Sequence, residues 1–179
     1  MPPAALAGLP WVWGADADEA ARRYPADDLI EAPALAMTRA VDVDAPVELC
    51  WRWLCQVALA PYSYDLVDNL GRRSPQHLVP GTDELRVGQA MTVFTLTSFE
   101  PGRSWTGLIA PQRLTGLGRT AATYAAEPGR LVARLVVPGG TSFERARGLA
   151  LAWGDLVMMR RQLLNLAALA QRDHRAGPT

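Results

Sequence analysis

A tyrosine, a carboxylate and an amide recur at spacings of three and four residues near the middle of the chain. They are Tyr62, Asp65 and Asn69, and a helix over residues 62–70 would place them on one face, with Tyr64 on a neighbouring face. A carboxylate beside phenols and an amide can move a proton and orient a carbonyl group, and burial would raise the pKa of Asp65 toward a useful range. The alternative is structural, because Asp and Asn often cap helices and tie loops.

Arg39 is a further candidate for chemistry. It shares the apolar side of an alternating strand predicted over residues 35–43, so its guanidinium group would point into the interior. There it could hold a carboxylate, an enolate or a thioester carbonyl. The alternative is an arginine at a strand end that reaches water or pairs with Asp65 or Glu144.

Several aromatic, sulfur-containing and polar side chains are candidate ligand contacts. Tyr124 has small neighbours on its strand face, which leaves the space that a pocket needs, and Leu135 is expected on the concave face with Arg134 pointing outward. The sequence leaves open which faces of the strands near residues 104–110 and 119–126 line the cavity. For many of these residues the alternative is an ordinary core or a solvated loop. The candidates are Trp53, Gln56, Asn69, His77, Trp105, Tyr124, Leu135, Trp153, Met158 and Met159.

Several function classes lack the residues they need. The chain has no lysine, which excludes a Schiff-base mechanism, and it has no phosphate-binding glycine loop, HExxH or CxxC motif. Its two cysteines, Cys50 and Cys55, and its two histidines make a poor metal set, so we expect no metal and no cofactor. Eighteen basic and 18 acidic residues give zero net charge, which argues against nucleic-acid binding.

Length and composition indicate one domain with a substantial core. The chain has 179 residues, of which 49% are hydrophobic. Its first residues lack the pattern of a signal peptide, and its best apolar run, residues 149–159, is too short and polar to span a bilayer. We therefore expect a cytoplasmic monomer or homodimer with reduced thiols and no stable membrane insertion.

The first half of the chain divides into an extension and the start of a domain. Residues 1–34 are predicted to form an N-terminal extension with a short helix, residues 35–174 a ligand-binding domain and residues 175–179 a tail. After the strand over residues 35–43, Asp44 is a plausible N-cap for a helix that runs to about residue 60. The loop over residues 71–88 is long enough to act as a lid.

The second half alternates strands and turns before a long helix. Strands are predicted near residues 89–99, 104–110, 119–126 and 130–137, and the first of these could be two strands joined by a bend. A capping box at Thr141 and Glu144 begins a helix over residues 142–173. Its predicted apolar stripe is Leu149, Trp153, Leu156, Met159, Leu163, Leu166 and Ala170.

This order predicts an α+β fold. A curved antiparallel sheet would wrap around the long C-terminal helix, with two short helices after the first strand. The concave face of such a sheet needs filling, by side chains or by a ligand.

Six short motifs stand out along the chain, namely Thr38-Arg39-Ala40-Val41, Asp44-Ala45-Pro46, Trp51-x-Trp53-Leu54-x-Gln56, Tyr62-Ser63-Tyr64-Asp65, Asp68-Asn69 and Met159-Arg-Arg-Gln-Leu-Leu164. They resemble the SRPBCC superfamily, the helix-grip group that includes START lipid-transfer domains and polyketide cyclases. The resemblance covers about residues 11–172, and Arg52 and Ala60-Pro61 depart from the pattern of the bacterial branch that the chain resembles. These departures leave the fold intact but weaken any transfer of ligand preference.

The resemblance implies a protein that binds an apolar, oxygenated small molecule, such as a polyketide-like or related secondary metabolite. It also implies a cofactor-free cyclisation or dehydration, a lyase-type reaction in which Asp65, Tyr62, Tyr64 and Arg39 would handle protons or charge. One alternative is a non-catalytic carrier or sensor of lipid-like ligands. Another is a protein-interaction module whose cavity is closed by side chains.

Overall fold

The computed structural model describes residues 7–64, 71–109 and 118–177. They form a curved, open seven-stranded sheet and a long C-terminal helix, an α+β architecture consistent with the helix-grip fold. The strand order is β1-β2-β7-β6-β5-β4-β3, and every neighbouring pair is antiparallel except β1 and β2. The strands are β1 Val12–Trp13, β2 Ala34–Asp42, β3 Ala90–Met91, β4 Phe94–Glu100, β5 Ser104–Ile109, β6 Thr120–Glu127 and β7 Arg130–Pro138.

Short helices precede and follow β2, and one long helix follows β7. Helix α1 spans Ala17–Ala21, and α2 spans Val47–Cys55 and continues as a 3-10 helix over Gln56–Ala58. These two short helical segments follow β2, as predicted. The long helix α3 spans Ser142–Ala176 and packs on the concave face of the sheet.

The predicted capping box begins α3. The Thr141 hydroxyl accepts a hydrogen bond from the Glu144 backbone N–H, and the Glu144 carboxylate accepts one from the Thr141 backbone. At α2 the prediction was wrong, because Pro46 rather than Asp44 holds the N-cap position and no side chain caps the helix. Pro46 has the fixed φ and missing N–H that a helix start tolerates.

The predicted apolar stripe of α3 was wrong in its first turns. Leu149 and Trp153 are 44% and 50% exposed, whereas Gly148 and Ala152 are buried. A Cβ at Gly148 would lie 2.7 Å from Leu35 Cδ1, so only very small residues fit where α3 approaches the sheet. From Leu156 onward the stripe is buried as predicted.

The predicted helix over residues 62–70 is not helical in its described part. Tyr62 has a φ of 55°, in the left-handed region, and residues 62–64 lie outside any helix. Residues 65–70, and with them Asp65 and Asn69, lie outside the described residues.

The N-terminal residues cover the convex face of the sheet. Strand β1 extends the sheet beyond β2, and a 3-10 helix over Pro25–Asp28 packs against β5, β6 and β7. Arg134 does lie on this outer face, but it is buried there and forms an ion pair with Asp27 at 3.0 Å. Strands β6 and β7 are therefore buried on both faces, whereas β4 keeps partly exposed residues.

None of the helices in the described parts of the chain is long and apolar enough to cross a bilayer.

Candidate functional site

A row of four residues crosses the concave face of the sheet. The strand register aligns Arg39 in β2 with Ala133 in β7, Ala133 with Tyr124 in β6, and Tyr124 with Trp105 in β5. Trp105 and Tyr124 therefore share the face that α3 covers, and Thr106 lies on the other face. The small side chain of Ala133 leaves room between Arg39 and Tyr124 for polar groups from α3.

Trp105 fills one end of this row. Its ring stacks on that of Tyr124 at 4.4 Å between centroids, and its Nε1–H donates to the Leu54 carbonyl at 3.1 Å. Trp105 is fully buried. This end of the concave face is thus packed with protein side chains rather than open to a ligand.

Arg39 forms a buried ion pair with Asp155 of α3, not with Glu144. The Arg39 Nη2 and Asp155 Oδ2 atoms are 3.2 Å apart, and the two side chains are 0% and 8% exposed. The guanidinium also donates to the carbonyls of Trp11 and Ala152, so it joins β1, β2 and α3. Glu144 is held in its capping box instead. The possible partner Asp65 lies outside the described residues.

Burial raises the pKa of Asp155 to about 6, because desolvation of the carboxylate outweighs the attraction of Arg39. Burial also lowers the pKa of Arg39, and the charge of Asp155 opposes that shift. A carboxyl group that titrates near neutrality inside a protein is well suited to proton transfer.

Tyr124 and Gln162 form the second polar pair of the concave face. The Tyr124 hydroxyl donates to Gln162 Oε1 at 2.6 Å, and Gln162 Nε2 donates to the Pro61 carbonyl. Burial, aided by the nearby Asp155 charge, raises the pKa of Tyr124 well above its ordinary value, so the phenol stays neutral. The hydroxyl is therefore a fixed hydrogen-bonding group at neutral pH.

An open cleft of about 440 Å³ lies directly beside this pair. Its walls come from α3, from the segment before Tyr62 and from the turn between β3 and β4. Mostly apolar side chains surround the few polar groups, which is typical of a small-molecule site. We call it the apolar cleft, and its lining residues are Leu59, Ala60, Pro61, Ser63, Thr92, Val93, Phe94, Tyr124, Met158, Met159 and Gln162.

A second open cleft, of about 670 Å³, follows along the next turns of α3. Ser63 lines both clefts, and Asn165 donates to the Tyr62 carbonyl at 2.8 Å in the second. We call this the polar cleft, and it is lined by Tyr62, Ser63, Tyr64, Ser74, Gln76, Arg161, Asn165, Ala168, Leu169 and Arg172.

The structure brings only part of the predicted ligand set together. Tyr124, Met158 and Met159 line the apolar cleft, while Tyr62 and Tyr64 line the polar cleft. The remaining described candidates lie elsewhere. Trp105 and Leu135 are buried on the concave face, and Trp153 is half exposed on α3.

Two further candidates serve the packing of neighbouring segments, and a third lines another opening. The Gln56 amide bonds to Val79 and Thr82, so it ties down the loop that was predicted as a lid. The buried Trp53 donates to Asp173 at 3.1 Å. His77 lines a separate opening near the C-terminal end of α3.

Asp155 and Gln162 are the functional candidates that sequence reasoning missed. They lie seven residues apart on α3, which places both on the same inward side of the helix. The sequence signal that could have identified them is a carboxylate and an amide at this spacing on an otherwise apolar helix face.

Two other kinds of chemistry find no support in the described residues. No group of three or more His, Cys, Asp or Glu side chains there could hold a metal ion. Cys50 and Cys55 are buried and free, and burial raises the pKa of Cys50 to about 11 and that of Cys55 further, so neither is a ready nucleophile.

Comparisons with known proteins assign neither a family nor a function to this chain. No protein-family model matches, and no curated protein matches. Protein MLL2253 from Mesorhizobium loti is 16% identical with a TM-score of 0.45, over 76% of this chain and 97% of that one. Protein Ms6760 from Mycobacterium smegmatis is 19% identical with a TM-score of 0.42, over 82% and 93% of the two chains.

Removing the Tyr124 hydroxyl should cost stability. We expect Tyr124→Phe to lower the free energy of unfolding by about 1–3 kcal/mol, because Gln162 Oε1 would lose its donor in a buried position. Denaturant unfolding measures this loss. An unchanged midpoint and slope would show that the hydrogen bond contributes nothing to the fold.

Proposed function

We propose that the protein is a member of the SRPBCC superfamily that binds an apolar, oxygen-bearing small molecule in the apolar cleft. The observation that carries the proposal is the position of the Tyr124–Gln162 pair at an opening whose other walls are apolar. A polyketide-like molecule or a related secondary metabolite has this chemistry, with an apolar body and a few oxygen atoms.

The volume and lining of the cleft suit a ligand of this kind. A volume of about 440 Å³ falls within the range of small-molecule sites. Met158 and Met159 have flexible, polarisable side chains that adapt to an irregular apolar surface, and Phe94 adds a flat one. The oxygen atoms of the ligand would lie against Tyr124 and Gln162, and its hydrocarbon surface would lie against these apolar walls.

Binding without catalysis, as in a carrier or sensor, is the simplest form of this function. Arg39 supports it indirectly, because its buried side chain is committed to Asp155 and to backbone carbonyls and does not line either cleft. The hydrogen bond from Arg39 to the Ala152 carbonyl ties α3 to β2 next to the cleft.

A cofactor-free cyclisation or dehydration is the second candidate. Asp155 favours it, since burial raises its pKa to about 6 and its charge acts on the neutral Tyr124 phenol. In such a reaction the Tyr124 O–H would turn from Gln162 Oε1 to the substrate carbonyl. Asp155 does not line the cleft, so it would act through its charge on Tyr124 rather than by proton transfer to the substrate. Loss of turnover in both Tyr124→Phe and Asp155→Asn, with retained ligand binding, would separate an enzyme from a carrier.

Two matched valine variants test the binding site. Val93 lines the apolar cleft and is 40% exposed, whereas Val87 lies outside it and is 66% exposed. We expect Val93→Glu to weaken binding of the uncharged fluorescent probe N-phenyl-1-naphthylamine by about tenfold or more, because a carboxylate would have to be desolvated against the bound probe. Val87→Glu should leave the affinity unchanged.

Fluorescence titration gives both affinities, and circular dichroism checks that each variant is folded. Equal affinities for the two variants would place the probe somewhere other than the apolar cleft. Absence of any binding to the wild-type protein would favour the protein-interaction module instead.

A further inference from the structure

We infer that the polar cleft is an anion subsite, so that the ligand is an apolar acid with its body in the apolar cleft and its carboxylate beside Arg161. This inference rests on the proposed function, because it extends the same site along α3. The apolar cleft alone does not distinguish an acid from an uncharged ligand, whereas an anion subsite selects the acid.

The two clefts are adjacent along one helix and differ in character. Both include Ser63, and the residues that α3 contributes to them follow one another along consecutive turns of its surface. Gln162 holds the Pro61 carbonyl in the apolar cleft, and Asn165 holds the Tyr62 carbonyl in the polar one. These two amides fix the chain segment that borders both openings. A single elongated molecule could therefore contact both.

Arg161 is the cation available to a ligand in the polar cleft. It is exposed, and within the described part of the chain it makes no hydrogen bond or ion pair. Arg172, which lines the same cleft, is already bonded to the Gln76 carbonyl and to Asp173. The charge of Arg172 is thus balanced by Asp173, while the guanidinium group of Arg161 is open to a two-point bond with a carboxylate.

Decanoate and decanol form a matched pair of probes, since they share a ten-carbon chain and differ in the charge of the head group. Each is measured as a competitor of N-phenyl-1-naphthylamine. We expect Arg161→Gln to weaken decanoate by about tenfold and to leave decanol within about twofold of its wild-type affinity. Arg52→Gln is the control, because Arg52 is also exposed and lines a different opening.

The outcomes separate this inference from the proposed function. Two results would overturn the anion subsite alone, provided that decanol and the probe bind normally. One is that Arg161→Gln leaves the affinity for decanoate unchanged, and the other is that Arg52→Gln lowers it equally. Equal losses of decanol and decanoate in Arg161→Gln would overturn it as well. Failure of the probe and of decanol to bind at all would overturn both proposals together.

Discussion

Replacing Asp27 by alanine is expected to lower the free energy of unfolding by about 3–5 kcal/mol. The Asp27 carboxylate accepts from Arg134 Nε at 3.0 Å, and the two side chains are only 1% and 5% exposed. The same carboxylate accepts from the Tyr24 backbone N–H at 3.0 Å. Alanine would leave the Arg134 guanidinium buried beneath the N-terminal segment without its counter-charge, and would leave that N–H without an acceptor.

A surface ion pair in the same region provides the control. Arg22 and Glu127 are 2.6 Å apart, with side chains 42% and 22% exposed. We expect Glu127→Ala to cost only about 0–1 kcal/mol, because water replaces the lost partner. Denaturant unfolding of both variants measures the contrast. Equal costs would mean that the N-terminal segment is not docked on the convex face through Asp27.

The pH dependence of stability should carry the signature of Asp155. Its pKa is about 6 in the folded protein and 3.8 in the unfolded reference, so between these values the folded state holds a proton that the unfolded state has released. Its contribution to stability is therefore fully present below about pH 4 and is lost as the pH rises through about 6. The loss amounts to about 3 kcal/mol, since each pKa unit corresponds to about 1.4 kcal/mol.

Subtracting the stability curve of Asp155→Asn from that of the wild type isolates this contribution. The difference should fall by about 3 kcal/mol from pH 4 to pH 7, with Arg39 charged and Tyr124 neutral throughout. Asp44→Asn, at an exposed position, controls for the general loss of one carboxylate. A difference that is flat, or that rises with pH, would contradict a buried Asp155 with a raised pKa.

The strands of the sheet were predictable because alternation and turn residues are patterns within short stretches of sequence. Alternation and the Pro-Gly turns placed β4 to β7 close to their observed bounds, including the bend that separates β3 from β4. The capping box at Thr141 and Glu144 likewise marked the start of α3. These signals fix the path of the chain without reference to distant residues.

Pairings across the fold were not predictable in the same way. Periodicity indicated that Arg39 faces inward, but it could not choose Asp155 over other carboxylates, because the choice depends on how α3 crosses the sheet. The absence of a side chain at Gly148 lets α3 approach Leu35 closely, and Trp153 lies on the exposed side of the helix. Arg134 was expected on the outer face, yet alternation cannot show that the N-terminal segment covers it.

The apolar cleft as the ligand site can be tested most directly by NMR of the methionine methyl groups. Met158 and Met159 line the cleft, and Met37 is fully buried in the core away from it. Titration of a protein labelled with ¹³C at these methyls, using N-phenyl-1-naphthylamine, should shift the Met158 and Met159 signals and leave Met37 in place. Shifts at Met37 with none at Met158 and Met159, or no shift at any of the three, would contradict the proposed site.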